Sequence, residues 1–204
     1  PISSGQQGFS VHRSLESVNS TETGYTQVLT FRKNLKTLSL WQLRWDADGI
    51  ATSPAVPAAA ATGVGYSKMA FVLACMGEFI RNLGYEAVQC GNDTALSIPL
   101  AIEAGLGELG RNGLLITLQY GPRVRLCKIF TDLLLEPDKP IEFGVKDFCK
   151  KCRLCAEHCE AEAISMNDEP TFEVACQSNN PGALKWYVNA ERCYLFWCEN
   201  GTDC

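Results

Sequence analysis

Cys149, Cys152, Cys155 and Cys159 stand in the spacing C-x2-C-x2-C-x3-C, and no other feature limits so strongly what this chain can fold into. Three thiols two residues apart can wrap one compact metal centre, while the fourth is carried away by the chain that follows. Zinc is the competing occupant, since C-x2-C pairs suit a tetrahedral ion. Zinc ribbons, however, use two well-separated pairs rather than three cysteines in one tight run. The spacing therefore points to an iron–sulfur cubane. Glu160 occupies the place where such runs usually have Pro, a residue that shapes the exit of the loop and is not a ligand.

In bacterial ferredoxins the fourth cysteine of this run serves the other cluster of a pair. Residues 156–164 are expected to form the short helix that carries Cys159 there. A pair of cubanes needs eight thiolates. Cys193 and Cys204 read as the opening of a second run, its remaining ligands lying beyond the end of the chain; Cys176 and Cys198 compete with them, each with an inert thiol as the alternative. Of eleven cysteines, eight fall in the last 56 residues. The other three, Cys75, Cys90 and Cys127, lie among apolar residues and read as small buried hydrophobes.

The chain has 204 residues, 46% hydrophobic and 20% charged, enough for one sizeable core or two small ones. That length removes the need for disulfide staples. A net charge of −5 argues against a nucleic-acid partner, which needs Lys and Arg gathered against phosphates. The start at Pro1 and the stop at Cys204 suggest a fragment, so the lack of a signal peptide says nothing about localisation.

Residues 1–60 carry the fewest signals: Ser, Thr, Asn and Gly up to Tyr25, then a mixed segment through Trp41 and Trp45. Residues 54–63 read as a loop (less readily as a helix start), given two prolines and a closing glycine. Met69, Val72, Leu73, Met76, Phe79, Ile80 and Leu83 recur at helical spacing and predict an amphipathic helix over 67–83, stopped by Gly84. A strand over 85–88, a helix from Ser97 to Ala104, a turn at 111–113, a strand over 114–117 and a bent strand over 124–135 should follow. Alternating helices and strands imply α/β layers, with a domain boundary near Asp147.

The segments Ile98-Pro-Leu-Ala-Ile-Glu-Ala-Gly-Leu-Gly-Glu108, Tyr120-Gly-Pro-Arg-Val-Arg125, Phe130-Thr-Asp-Leu133, Asp138-Lys-Pro-Ile141 and Phe143-Gly-Val145 lead into the cysteine run. In that order they resemble the corrinoid-dependent reductive dehalogenases over roughly residues 65–204. The family's second cysteine motif, C-x(2–12)-C-x2-C-x3-C-P, is matched in its first two positions by Cys193 and Cys204, with Trp197 where an aromatic often stands. Leu118 and Leu134 depart from positions where the family commonly has proline.

The resemblance implies a mixed α+β or α/β fold: a nitroreductase-like cobalamin-binding domain over 61–146 after an N-terminal segment over 1–60, then a truncated ferredoxin-like domain for two 4Fe–4S clusters over 147–204. It implies cobalamin bound base-off, without a histidine on cobalt. The chain has only His12 and His158, neither in a corrinoid-ligation motif. Gly105, Gly107 and Gly110 could cradle the corrinoid through backbone N–H groups, or could equally serve close packing. The activity implied is reductive dehalogenation of an organohalide as the last step of anaerobic respiration. A small membrane anchor subunit, a respiratory electron donor, a homodimer and a place on the exterior face of the cytoplasmic membrane after twin-arginine export come with it.

Respiratory members use a Tyr, an Asn and an Arg around the substrate, and Tyr66, Asn92 and Arg125 occupy the corresponding places. Replacing carbon–halogen with carbon–hydrogen takes two electrons and a proton. A phenol with an ordinary pKa of about 10 is a reluctant acid, and a nearby guanidinium favours its phenolate. Arg125 would thus help Tyr66 release its proton, with Asn92 orienting phenol or substrate; Arg123 is the rival to Arg125, and Asn92 could instead simply make the Gly91-Asn-Asp93 turn. Two other functions share parts of this pattern. Epoxyqueuosine reductase, a tRNA-modifying enzyme, also combines cobalamin with two cubanes but would want a basic face. A non-catalytic electron carrier would explain the cysteines and leave the preceding domain without a purpose.

Overall fold

A computed structural model describes residue 35 and residues 37–204; the Ser- and Thr-rich opening and His12 lie outside the described residues. The elements run β1 (Thr37–Arg44), α1 (Ala47–Ile50), α2 (Val56–Asn82), β2 (Ala87–Cys90), α3 (Ser97–Glu103), β3 (Glu108–Leu109), β4 (Leu115–Ile116), β5 (Val124–Thr131), α4 (Val145–Lys151), α5 (Leu154–Glu157) and α6 (Ala190–Asn200).

The main sheet has the order β1-β5-β2, and both pairings are antiparallel. Helices and strands do alternate along the chain, but the sheet they form belongs to the α+β type. Because strand side chains alternate between faces, β5 builds two cores. Cys127 and Ile129 pack with Met69, Leu73 and Ile80 of α2, and Ala87 joins them. On the opposite face, Val124 and Leu126 pack with Ala101 of α3 and Leu115 of the β3–β4 hairpin. The sheet is thus covered on both sides, by one long helix and by a small α3–hairpin layer.

α2 corrects the loop expected over 54–63. It begins at Val56 with Pro57 in its first turn, where a missing N–H is harmless. The alanines that follow are strong helix formers and outweigh Gly63 and Gly65. The helix is long and apolar enough to cross a membrane by length and composition alone. Here Met69, Leu73 and Ile80 are buried on the sheet, whereas Phe79 and Leu83, expected on the same face, are exposed.

Other boundaries moved for local reasons. Gly84 takes the left-handed conformation (φ 92°), Tyr85 N–H still closes the helix onto Ile80 O, and Glu86 N–H donates to Asp132 Oδ1; pairing therefore starts at Ala87 rather than Tyr85. β5 stops at Thr131 because Asp132 and Thr131 Oγ1 tie the chain back to Glu86, leaving Leu134 in solvent. α3 ends at Glu103 and β4 covers only Leu115–Ile116. The helix expected over 156–164 reduces to α5. Glu162 has a positive φ of 46°, and Ala163 N–H donates to Cys159 Sγ at 3.3 Å instead of to a helical carbonyl. α6, which sequence periodicity did not single out, is capped by Asn189, whose side chain accepts from Arg192 N–H, and ends at Gly201 in the left-handed conformation.

Candidate functional site

α2 carries Tyr66 and β5 carries Arg125, and the sheet face that buries α2 brings them together. The Arg125 guanidinium lies 3.9 Å from the centre of the Tyr66 ring and 4.5 Å from that of Trp45, so it is sandwiched between two aromatic faces. Asn92, in the loop after β2, donates from Nδ2 to Tyr66 Oη at 2.7 Å. Tyr66 and Asn92, expected on sequence grounds at one site, are in direct contact. Arg125 rather than Arg123 completes the group: Arg123 enters it only through its backbone, whose carbonyl accepts from Trp45 N–H at 3.0 Å.

Because Asn92 occupies the phenol oxygen as a donor, the Tyr66 O–H remains free to donate elsewhere, and the side chain is 38% exposed. Burial pulls the Arg125 guanidinium below its usual pKa, opposed by the neighbouring Tyr66 and Asp203. Arg125 Nε and Trp45 Nε1 are buried without a hydrogen-bond partner among the described residues.

Two residues that sequence reading passed over hold this group. Trp45 is seated against α2 at Gly65, where a Cβ would come within 2.2 Å of its indole nitrogen; a Trp one residue beyond a strand, facing a helical glycine, is visible only in three dimensions. Lys128 is fully buried on the other face of β5. Its Nζ donates to Gly91 O at 2.5 Å and Ser97 Oγ at 3.1 Å, fixing the loop on which Asn92 sits. Its signal was present as a cation set between apolar neighbours, Leu126 and Cys127 before it and Ile129 and Phe130 after it.

The cysteines gather in two groups. Burial raises the Cys155 pKa, with Cys149 and Cys152 as further electrostatic neighbours pushing the same way and Arg111 opposing. Burial likewise raises Cys193, reinforced by Cys204 and Cys159. Cys159 thus lies within electrostatic reach of Cys193. Each group has a backbone donor aimed at sulfur: Arg111 N–H to Cys149 Sγ at 3.4 Å and Ala163 N–H to Cys159 Sγ. Among the described residues, no three His, Cys, Asp or Glu side chains converge on a single ion. Cys176 N–H is tied to Asn179 Oδ1 and Cys198 is exposed. Of the remaining thiols, Cys90 and Cys127 are buried as expected, whereas Cys75 is exposed, a correction that follows from its place on the outer side of α2.

The glycine-rich stretch serves packing. Gly105 N–H donates to Ile102 O and Gly110 N–H to Leu114 O, so these two backbone donors are engaged within the chain, and a corrinoid contact at Gly105, Gly107 or Gly110 stays a proposal. A Cβ would meet Lys139 O at 2.5 Å at Gly105, Ile116 O at 2.2 Å at Gly107, and Asn112 Oδ1 and Ile116 Cγ1, both at 2.8 Å, at Gly110. Glu108, within the same stretch, accepts the Phe143 and Val145 N–H groups, anchoring the start of α4.

This geometry sets an accessible phenol against a half-buried guanidinium. A solved catabolic reductive dehalogenase in complex with 3-bromo-4-hydroxybenzoic acid superposes with a TM-score of 0.67 at 28% identity, covering 78% of this chain and 22% of that one. A tetrachloroethene reductive dehalogenase of Desulfitobacterium hafniense is 49% identical over 172 residues, 83% of this chain and 31% of the relative. Another, from Sulfurospirillum multivorans, is 41% identical over 153 residues, 75% of this chain and 30% of the relative. No family model matches. The chain belongs to the reductive dehalogenase family, and it spans less than a third of the length of these curated relatives.

Proposed function

We propose that this chain is the catalytic core of a reductive dehalogenase, in which Tyr66 delivers the proton that replaces halide on carbon. The balance is one organohalide, two electrons and one proton giving the product with hydrogen in place of that halogen and one halide ion. The observation that carries the assignment is Tyr66 Oη held by Asn92 at 2.7 Å with Arg125 against its ring. Asn92 fixes the phenol while leaving its proton to be donated. The guanidinium steadies the phenolate that remains until solvent reprotonates it.

Cys149, Cys152 and Cys155 would hold one 4Fe–4S cluster and Cys159, Cys193 and Cys204 part of a second, the spacing of the run and the N–H···S donors fitting such an occupant. The family's cobalamin, carried over from the resemblance, supplies with these clusters the low-potential electrons for the substrate. The described residues define no corrinoid contacts, and the step assigned here is Tyr66's alone. Substrate would be a small organohalide; the relatives named for tetrachloroethene and the neighbour solved with a bromohydroxybenzoate leave alkene and aromatic halides both in view. A domain division near 147, a membrane anchor subunit, a respiratory electron donor, a homodimer and location on the outer face of the cytoplasmic membrane belong to the same proposal.

In the anaerobically prepared full-length protein, Tyr66→Phe should abolish dehalogenation while iron and corrinoid contents stay at wild-type levels. Undiminished turnover would remove Tyr66 as the acid. An epoxyqueuosine reductase-like role is disfavoured by the net charge of −5, and a simple electron carrier leaves the Tyr66 group without a use.

A further inference from the structure

Arg111 lies at the tip of the β3–β4 hairpin and is fully buried. Its Nε and Nη2 donate to Cys149 O at 3.1 and 2.8 Å. Nη1 donates to Ser165 O and Asn167 O, each at 2.7 Å. The guanidinium stacks on Trp186 at 4.4 Å from the ring centre, and Trp186 Nε1 shares the Asn167 carbonyl. Every acceptor is a neutral backbone oxygen. Among the described residues no carboxylate pairs with it; the ion pairs they form are Arg81–Glu78, Lys150–Glu169 and Arg153–Asp168. A full positive charge removed from water without a counter-charge is strongly unfavourable. The anionic group this position can face is what the cysteines hold, since the Arg111 N–H points at Cys149 Sγ.

We propose that Arg111 is the charge partner of the cluster bound by Cys149, Cys152 and Cys155 and sets its reduction potential. This rests on the iron–sulfur reading of those cysteines. A thiolate-ligated cubane is anionic and gains one further negative charge on one-electron reduction. A fixed cation beside it favours the reduced form and raises the potential, as does an N–H donor on a ligating sulfur. The step moves one electron and no proton. The cation comes from the hairpin rather than from the cysteine run, so the catalytic core would itself tune the centre that feeds it.

The test uses anaerobic full-length enzyme, iron analysis and EPR-monitored redox titration of wild type, Arg111→Gln and Arg111→Lys. In Arg111→Gln, one cluster signal should move to more negative potential by at least tenfold in its reduction equilibrium, about 59 mV for one electron, with the other unmoved. Arg111→Lys, which keeps the charge, should shift less than that. Loss of one cluster's iron in Arg111→Gln but not in Arg111→Lys would also support the proposal. Full iron with unmoved potentials in Arg111→Gln overturns it, as does equal iron loss in both variants, which would make Arg111 a clamp of shape alone. Wild-type enzyme without iron would overturn the iron–sulfur reading itself.

Discussion

Gly63 and Gly65 occupy the same helix two residues apart, and the same substitution should act on them in opposite directions. At Gly63 an added Cβ meets nothing within 4 Å, whereas at Gly65 it would lie 2.2 Å from Trp45 Nε1 and 2.6 Å from Cδ1. Gly→Ala in a helix interior gains about 1 kcal/mol of propensity at either position. That gain cancels in the difference between the two variants, leaving the overpacking at Gly65, about 1–3 kcal/mol. The obstacle is a rigid ring whose backbone is tied to Arg123 O, so it can yield only by tilting away from α2. Tilting carries it off Arg125, which would lose one of its two aromatic faces. Calorimetric or circular-dichroism melting should therefore rank Gly63→Ala above wild type, with Gly65→Ala below Gly63→Ala by about 2–4 °C per kcal/mol in a domain of this size. Dehalogenation should fall only in Gly65→Ala. Equal melting temperatures and equal turnover in the two variants would refute both the packing of Trp45 and its support of Arg125.

Lys128→Met should destabilise by about 1–3 kcal/mol, since Gly91 O would be left buried without a donor; a denaturation midpoint within error of wild type would count against that anchor. Cys127 titrates near 9.0 when exposed and is pushed up to about 11 by burial. The unfolded chain releases this proton first, so Cys127's contribution to stability is complete below pH 9 and declines from pH 9 to 11; pH-dependent unfolding of Cys127→Ala should show a shallower fall over that range than wild type. In native protein at pH 8, iodoacetamide should label exposed Cys75 while Cys90 and Cys127 stay protected, as mass spectrometry of the digest would record.

Much of the site was legible before any coordinates. The cysteine spacing set Cys159 apart from the first three thiols, and in the fold Cys159 has Cys193 as an electrostatic neighbour while Cys155 has Cys149 and Cys152. Tyr66, Asn92 and Arg125 came from resemblance and meet in space. What was illegible has a common cause: it depends on pairs distant in sequence. Gly65 reads as a weak point of α2 until Trp45 is set against it. Gly105 and Gly110 read as open N–H donors until the Ile102 and Leu114 carbonyls are placed. The antiparallel sheet could not be read from alternating elements, because β1 had no clear period of its own; Leu38, Leu40, Trp41 and Leu43 put apolar groups on both of its faces. The end of α5 turned on a sulfur acceptor that no helix propensity contains.

β5 is gripped along both edges, by β1 through all eight of its residues and by β2 through four. Its two faces carry unlike duties, Arg125 turned towards Tyr66 and Lys128 towards the Asn92 loop. Inserting or deleting a single codon within it would exchange those faces, sending the cation of the stack into the α3 layer and the loop anchor under α2. Length variants raised in the laboratory should therefore survive in the 132–142 connection and be lost from 124–131, whatever residue is added.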